Sequence, residues 1–324
     1  MKDFKKIAKE RQVINDAIRQ FFAARNYIEV ETPIVVRSPG MEPNLTPFET
    51  RTIEPDGTVH ASGLITSPEY SMKKLLGRGL ERIFTITKVF RNEESFGGQH
   101  NPEFSMLEWY QQGADYQACI DETRELVEFV SARLISDSGE ETKSKFMSMR
   151  VRDLFLDHVG VDLDHASEQD LIDACARHEI SVDSTDTESD LFYRLFLTLI
   201  EPTFHDRNVF VYDYPIYQAA LAALTDDKKY GQRFELYMNG LELCNGFTEL
   251  TDATEQRRRF ELEAKERLDA GKNLFPFDEA FLSSLESIKQ PSFGNALGID
   301  RMHMALMKRK NIEDVLLFTA SDLF

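Results

Sequence analysis

Cysteine is scarce in this sequence, long apolar runs are missing and basic residues are outnumbered, and each shortage removes a class of protein. The 3 cysteines, Cys119, Cys175 and Cys244, are odd in number, far apart and without metal-ligand spacing. That pattern excludes a disulfide-stapled fold and a structural zinc site. No uninterrupted apolar stretch reaches the roughly 18 residues of a membrane helix, so neither a span nor a membrane partner is expected. The opening Met1-Lys2-Asp3-Phe4-Lys5-Lys6 runs into an amphipathic pattern with acidic residues and lacks an apolar signal-peptide core, which makes the cytoplasm the expected location. Internal repeats and low-complexity tracts are absent too. Against 56 acidic residues stand 38 basic ones, a formal net charge of −18 that opposes broad, unsteered binding to a phosphate backbone. What is present is 42% apolar residues in a chain of 324, enough for one large domain or two modest ones.

Periodicity supplies the organisation. Ile14, Ile18, Phe21 and Phe22 repeat on one helical face and predict an N-terminal helix to about Asn26, followed by a strand from Ile28 to Thr32 that Pro33 closes. Two strands, Ile83 to Arg91 and Glu103 to Gln111, are expected around a loop containing Gly97 and Gly98. Residues 116–203 read as a helical insertion, with a periodic stretch from Ile120 to Leu134 and a capping signal at Ser167-Glu168-Gln169-Asp170. A short strand at Val209 to Tyr212 and a hairpin from Arg233 to Cys244 around Asn239-Gly240 follow, then a charged helix at 253–271 and a closing helix at 300–310. Antiparallel strands flanked by helices, with no linker between halves, predict a single α+β domain over 1–324 rather than a doubly wound fold.

Chemistry is legible in the two hairpins. With Asn239-Gly240 as the turn, Met238 faces Leu241, Tyr237 faces Glu242 and Glu235 faces Cys244, so both carboxylates share one sheet face while Phe234, Leu236, Met238, Leu241 and Leu243 take the other. A solvated face accounts for two glutamates; the sharper reading is a magnesium pair completed by substrate phosphates. Along the earlier strand Phe104, Met106, Glu108 and Tyr110 alternate onto one face, a surface suited to a flat ring beside a cation, although a packed core with one paired glutamate reads equally well. Arg91 carries a fork of donors that can clamp phosphate, and Glu93 can accept from a ring amine; an ion pair between them is the plainer account. Gly294 to Arg301 places small residues before a helix whose Arg301 can stack on a ring or reach phosphate, and a helix simply capped by Asp300 is its plainer account.

The order of these pieces resembles the three signature motifs of the class II aminoacyl-tRNA synthetases, the lysine-specific ones above all. The resemblance runs from about residue 8 to the C-terminus and rests on Ser67-Pro68-Glu69-Tyr70, Phe90-Arg91-Asn92-Glu93, His100-Asn101-Pro102-Glu103-Phe104, Glu242-Leu243-Cys244-Asn245-Gly246-Phe247 with Glu249, and Gly298-Ile299-Asp300-Arg301. It implies an antiparallel sheet flanked by helices, ATP as a substrate and Mg2+ as cofactor. By resemblance Arg91 and Arg301 are the catalytic arginines, Arg91 on the α-phosphate and Arg301 with Phe104 around the adenine. Asn92, Glu93, His100, Asn101, Leu243 and Gly298 belong to the same nucleotide site, and Glu235 and Glu242 to the metal. Ser67, Pro68, Glu69, Glu108, Tyr110, Asn245, Glu249 and Ala296 would surround a lysine-like amino acid. Strict alternation puts Asn245 on the core face, so its role requires a bulge or bend near Gly246.

Lysyl-tRNA synthetases carry an anticodon-binding barrel before the catalytic domain, and the first motif here begins within the first 20 residues. The expectation is therefore the stand-alone branch of the family, which attaches lysine or (R)-β-lysine to a lysine side chain of elongation factor P. Ala296 stands where that branch resembles this chain and the synthetases usually have glycine. The loop Glu94-Ser95-Phe96-Gly97-Gly98-Gln99 departs from both in having no arginine. The family's first motif implies a homodimer. Two other readings are a truncated lysyl-tRNA synthetase charging tRNA, disfavoured by the −18 charge, and a non-catalytic regulatory subunit, disfavoured by the metal carboxylates.

Overall fold

The computed structural model describes residues 2–135, 145–219 and 221–324. Helix α1 (Phe4–Ala23) starts where the Asp3 side chain accepts from the Lys6 N–H at 3.0 Å, and it buries Ile14, Ile18, Phe21 and Phe22 completely. It stops short of Asn26, which adopts φ 60° and turns the chain. The strand expected over 28–32 shrinks to β1 (Ile28–Glu29), because the chain leaves the sheet ahead of Pro33 after one more bond, from Val30 N to Phe84 O at 2.8 Å. A small sheet follows from β2 (Val35–Val36), β3 (Glu49–Ile53) and β4 (Val59–Leu64). Helix α2 (Glu69–Gly77) leads into β5 (Arg82–Phe90) and β6 (Glu103–Gln112), the antiparallel pair expected from their alternation.

The stretch 116–203 is not wholly helical. After α3 (Tyr116–Ile135), and beyond residues 136–144, which lie outside the described residues, β7 (Phe146–Arg150) joins the main sheet in parallel with β8 (Asn208–Pro215). Helices α4 (Val151–His158), α5 (Glu168–Arg177) and α6 (Glu188–Leu195) complete it, the last two opened by the capping boxes of Ser167 and Thr187. Helix α3 is part of the central layering, since Cys119, Leu126, Val127 and Val130 share a core with α1. Strands β9 (Tyr230–Met238) and β10 (Leu241–Thr248), helices α7 (Ala253–Asp269) and α8 (Glu279–Leu285), β11 (Ser292–Gly298), α9 (Ile299–Leu306) and α10 (Ala320–Leu323) finish the chain.

The eight-stranded sheet runs β1-β5-β6-β11-β10-β9-β8-β7, antiparallel inside and parallel at both ends. Its back face packs Phe84, Leu107, Trp109, Phe210, Phe234 and Leu297 against α1, α3 and α9. The front face is covered at one end by α2, α7 and α8 over Ile83, Tyr110 and Phe247, and at the other by α4 to α6 over Val209, Val211 and Tyr237. Between these caps the front of β6, β11, β10 and β9 remains for a site. Among the described residues no helix is long and apolar enough to cross a membrane.

Candidate active site

Asn239 and Gly240, at φ 52° and 77°, form the tight turn that their residue types require, and Met238–Leu241 and Tyr237–Glu242 pair as expected. The third pairing does not hold. A bulge between Glu242 and Cys244 sets Leu243 and Cys244 together against Leu236 in the core, and Glu235 pairs with Asn245 instead of Cys244. Asn245 needed such a bulge to leave the core face, and it lies upstream of Gly246. From there Asn245, Phe247 and Glu249 all point to the front.

The resulting registers put Glu108 opposite Ala296, Ala296 opposite Asn245 and Asn245 opposite Glu235, one row across four strands. Two residues along, Tyr110, Gly294, Phe247 and Arg233 form a second row. Glycine is obligatory there, since a Cβ on Gly294 would run into the Tyr110 ring and a Glu249 oxygen. Gly294 is thus covered by Tyr110 and Glu249, and the half-buried Ala296 between β6 and β10 is the floor of the candidate pocket.

One end of the pocket is acidic. Glu108 is fully buried; it accepts from the Ser67 hydroxyl and, at 2.9 Å, from the Tyr110 hydroxyl. Burial, then the neighbouring Glu69, push its carboxyl up to about 8, more than those hydroxyls hold it down. Pro68 caps α2, the Glu69 N–H bonds back to Ser67 Oγ at 3.1 Å, and the Glu69 carboxylate turns to Lys73. Burial likewise raises Glu249 to about 8, with Lys73 opposing and Glu69 adding. Lys73 escaped the reading of the sequence. Wholly buried, its Nζ lies 2.5 Å from both Glu69 Oε1 and Glu249 Oε2 and 5.1 Å from the Phe247 ring. Burial works against its charge, but Glu249 and Glu69 more than offset that and hold its pKa above the ordinary value. Three carboxyl groups therefore surround one cation, and Glu108 and Glu249, raised to about 8, keep two protons in place of two further cations.

The other end is arranged differently. Glu235 accepts from Tyr214 Oη at 2.5 Å, Tyr237 Oη at 2.7 Å and Arg233 Nη2 at 2.6 Å. A carboxylate has about four lone-pair sites, so one is left. Glu242 keeps 43% of its side chain exposed against 5% for Glu235. Its carboxyl is raised by desolvation and by Glu235, with Arg301, Arg233 and Arg91 opposing. Glu201, also unread in the sequence, is pushed to about 7 by burial and then by Glu242 and Glu235. Glu242, whose charge Glu235 on the same face disfavours, fits with it a divalent cation completed by phosphate oxygens. Among the described residues no cluster of three His, Cys, Asp or Glu side chains is arranged to hold a metal without such help.

Arginine supplies the positive wall. Arg91 lies over Phe104 at 5.1 Å, its buried Nε has no hydrogen-bond partner among the described residues, and desolvation, aided by Arg301, lowers its pKa against Glu242, Glu42 and Glu94. A desolvated guanidinium with an idle donor is a seat for an anion. Arg301 bonds from Nη1 to Glu242 O at 3.1 Å and from Nε to Gln99 O at 3.3 Å, which pins the arginine-free loop beside the site. In that loop His100 Nδ1 lies 2.9 Å from Glu94. Glu93 takes φ 61° and accepts from Thr46 Oγ1 at 2.7 Å, and Asn92 N bonds to Thr46 O at 2.7 Å with its side chain exposed. Asn101 instead faces inward, donating to Glu103 O at 2.7 Å and accepting from Ala320 N at 3.0 Å. Leu243 is in the core, and its backbone oxygen faces Gly298, at the start of α9, where a Cβ would lie 3.8 Å away.

A family model described as tRNA synthetases class II (D, K and N) matches residues 1–322. A protein of Haemophilus influenzae (strain PittGG) named elongation factor P–(R)-beta-lysine ligase is 38% identical over 323 residues, which cover 99% of this chain and 96% of that one. Proteins with the same name from Pseudoalteromonas translucida (strain TAC 125) and Sodalis glossinidius (strain morsitans) are 40% and 38% identical over 317 residues each, covering 96% and 95% of this chain and 94% and 93% of theirs.

Proposed function

Because the chain belongs to the class II tRNA synthetase family, we propose that it activates lysine or (R)-β-lysine with ATP and transfers it to a lysine side chain of elongation factor P. The observation that supports this reading is the row Glu108–Ala296–Asn245–Glu235, which sets one carboxylate at each end of the front face, with Glu242 opposite Tyr237 two residues beyond Glu235. The two ammonium groups of the substrate replace the two protons that Glu108 and Glu249 keep beside Glu69 and Lys73. The amino-acid carboxylate then lies toward Asn245 and Arg91.

Its oxygen attacks the α-phosphorus of ATP, an acyl–phosphate bond forms, and pyrophosphate leaves. Arg91 holds the charge that builds on the α-phosphate, and Phe104 with Arg301 clamps the adenine. Glu242 and the remaining lone pair of Glu235 would hold magnesium, whose charge would offset that of the departing phosphates. The neutral ε-amine of the protein lysine next attacks the acyl carbon, the acyl–phosphate bond breaks, AMP departs, the surplus amine proton passes to solvent, and an amide remains. No side chain is assigned as general base, since positioning of the two reactants supplies the acceleration. A cytoplasmic homodimer built on the first-motif helix completes the reading. Transfer to tRNA is disfavoured by the −18 charge.

The test is exchange of labelled pyrophosphate into ATP with each lysine isomer, followed by mass spectrometry of elongation factor P. Exchange and a mass gain of one acyl group are expected; no exchange with either isomer overturns the activation, and charging of tRNA in place of the protein overturns the acceptor.

A further inference from the structure

Arg233 lies one residue pair from the floor of the pocket and is committed to protein on every side. Its Nε donates to Asn245 Oδ1 at 2.9 Å, Nη2 to Glu235 Oε1 at 2.6 Å and Nη1 to Gln218 O at 2.7 Å, while its guanidinium carbon sits 4.4 Å from the Tyr214 ring centroid. Gln218 is itself braced by a bond to Ser189 Oγ at 2.7 Å. With 9% exposure and three engaged nitrogens, Arg233 acts through its neighbours. A guanidinium carries donors only, so the Asn245 amide must turn its oxygen to Arg233 and its two N–H donors away from it. Asn245 lies between Ala296 and Glu235 in the front row, so those donors face the ground between the ammonium pocket and the metal carboxylates.

We propose that Arg233 is a positioning residue that fixes the Asn245 amide as a donor to the amino-acid carboxylate and holds Glu235 in the same grip. This rests on the reading of the site given above. One planar fork thereby sets the register between the carboxylate that attacks and the carboxylate that holds the cation, a task for which lysine, a point donor, is no replacement.

The test is a double-mutant cycle read by calorimetric binding of lysine and (R)-β-lysine without ATP or magnesium, with thermal melts alongside. Arg233→Lys and Asn245→Ala each weaken binding by about tenfold or more, and the double variant stays within about threefold of the worse single one, because both remove one contact. Exchange assays place the loss in the amino-acid KM more than in kcat. Asn245→Asp keeps an oxygen for Arg233 and loses the donors: it melts like the parent, yet binds at least about tenfold more weakly. Multiplicative losses in the cycle overturn the coupling, and parental affinity of Asn245→Asp overturns the donor. Should Arg233→Lys fail to fold, Asn245→Asp still decides. Parental protein that binds neither isomer overturns the amino-acid site itself; binding with independent losses overturns this inference alone.

Discussion

Glu108 and Glu235 are buried carboxylates in the same row of the same sheet, and they are treated in opposite ways. Glu108 meets two neutral hydroxyls and another acid; Glu235 meets two hydroxyls and a guanidinium. A charge counted within the protein makes a fixed support, whereas a charge left uncounted makes a receptor. On the proposed function, the acidic end holds protons until a diammonium ligand replaces them, whereas at the other end Glu235 is fixed by its three donors before any ligand arrives.

The contrast breaks most severely at Lys73, the only cation of the acidic pocket among the described residues. Lys73→Met strands Glu69 and Glu249 and is expected to lower stability by about 3–5 kcal/mol in urea titrations, with Lys73→Arg recovering part of it. At the metal end Glu242→Gln touches a half-exposed side chain: exchange should fall about 10²–10³-fold while the urea midpoint stays put. Equal stability losses in the two variants would erase the distinction between the two ends. Gly294→Ala presses on Tyr110 and Glu249 and should cost about 1–3 kcal/mol, together with weaker lysine binding in calorimetry.

The gentlest probe is pH. Glu108 and Glu249, raised to about 8, hold protons at neutral pH that the ordinary carboxylate range would have released. Diammonium binding requires the ionised forms, so lysine affinity should strengthen as pH rises toward 8, by up to about tenfold per unit for each proton released. Stability runs the other way: both groups hold protons in the folded state and lose them when unfolded, so stability falls as pH climbs from the ordinary carboxylate pKa through 8. Calorimetry in buffers of different ionisation heat counts the protons; a count of zero removes the stored-proton account.

How much of this was legible depends on how local its cause is. The Asn239-Gly240 turn, the alternation of Phe104 to Tyr110 and the helix of Ile14 to Phe22 are decided within a few residues, and they stand as expected. The bulge was implied by Asn245, yet its place at Leu243 follows from packing two successive side chains against Leu236. Strand β7 has five residues of mixed character and exists because β8 lies beside it. Arg233 is found through partners brought from other elements, whereas Lys73 stands four residues after Glu69 on one helical face, a local signal for half of its pairing.

The surplus residue at Leu243 also constrains how genes for such chains can drift in length. A codon gained or lost between 241 and 249 would reverse inside and outside for the amide, the ring and the acid beyond it, and disable the pocket without altering one of its side chains. Insertions and deletions should therefore collect in exposed turns such as 54–58 and be purged from this strand.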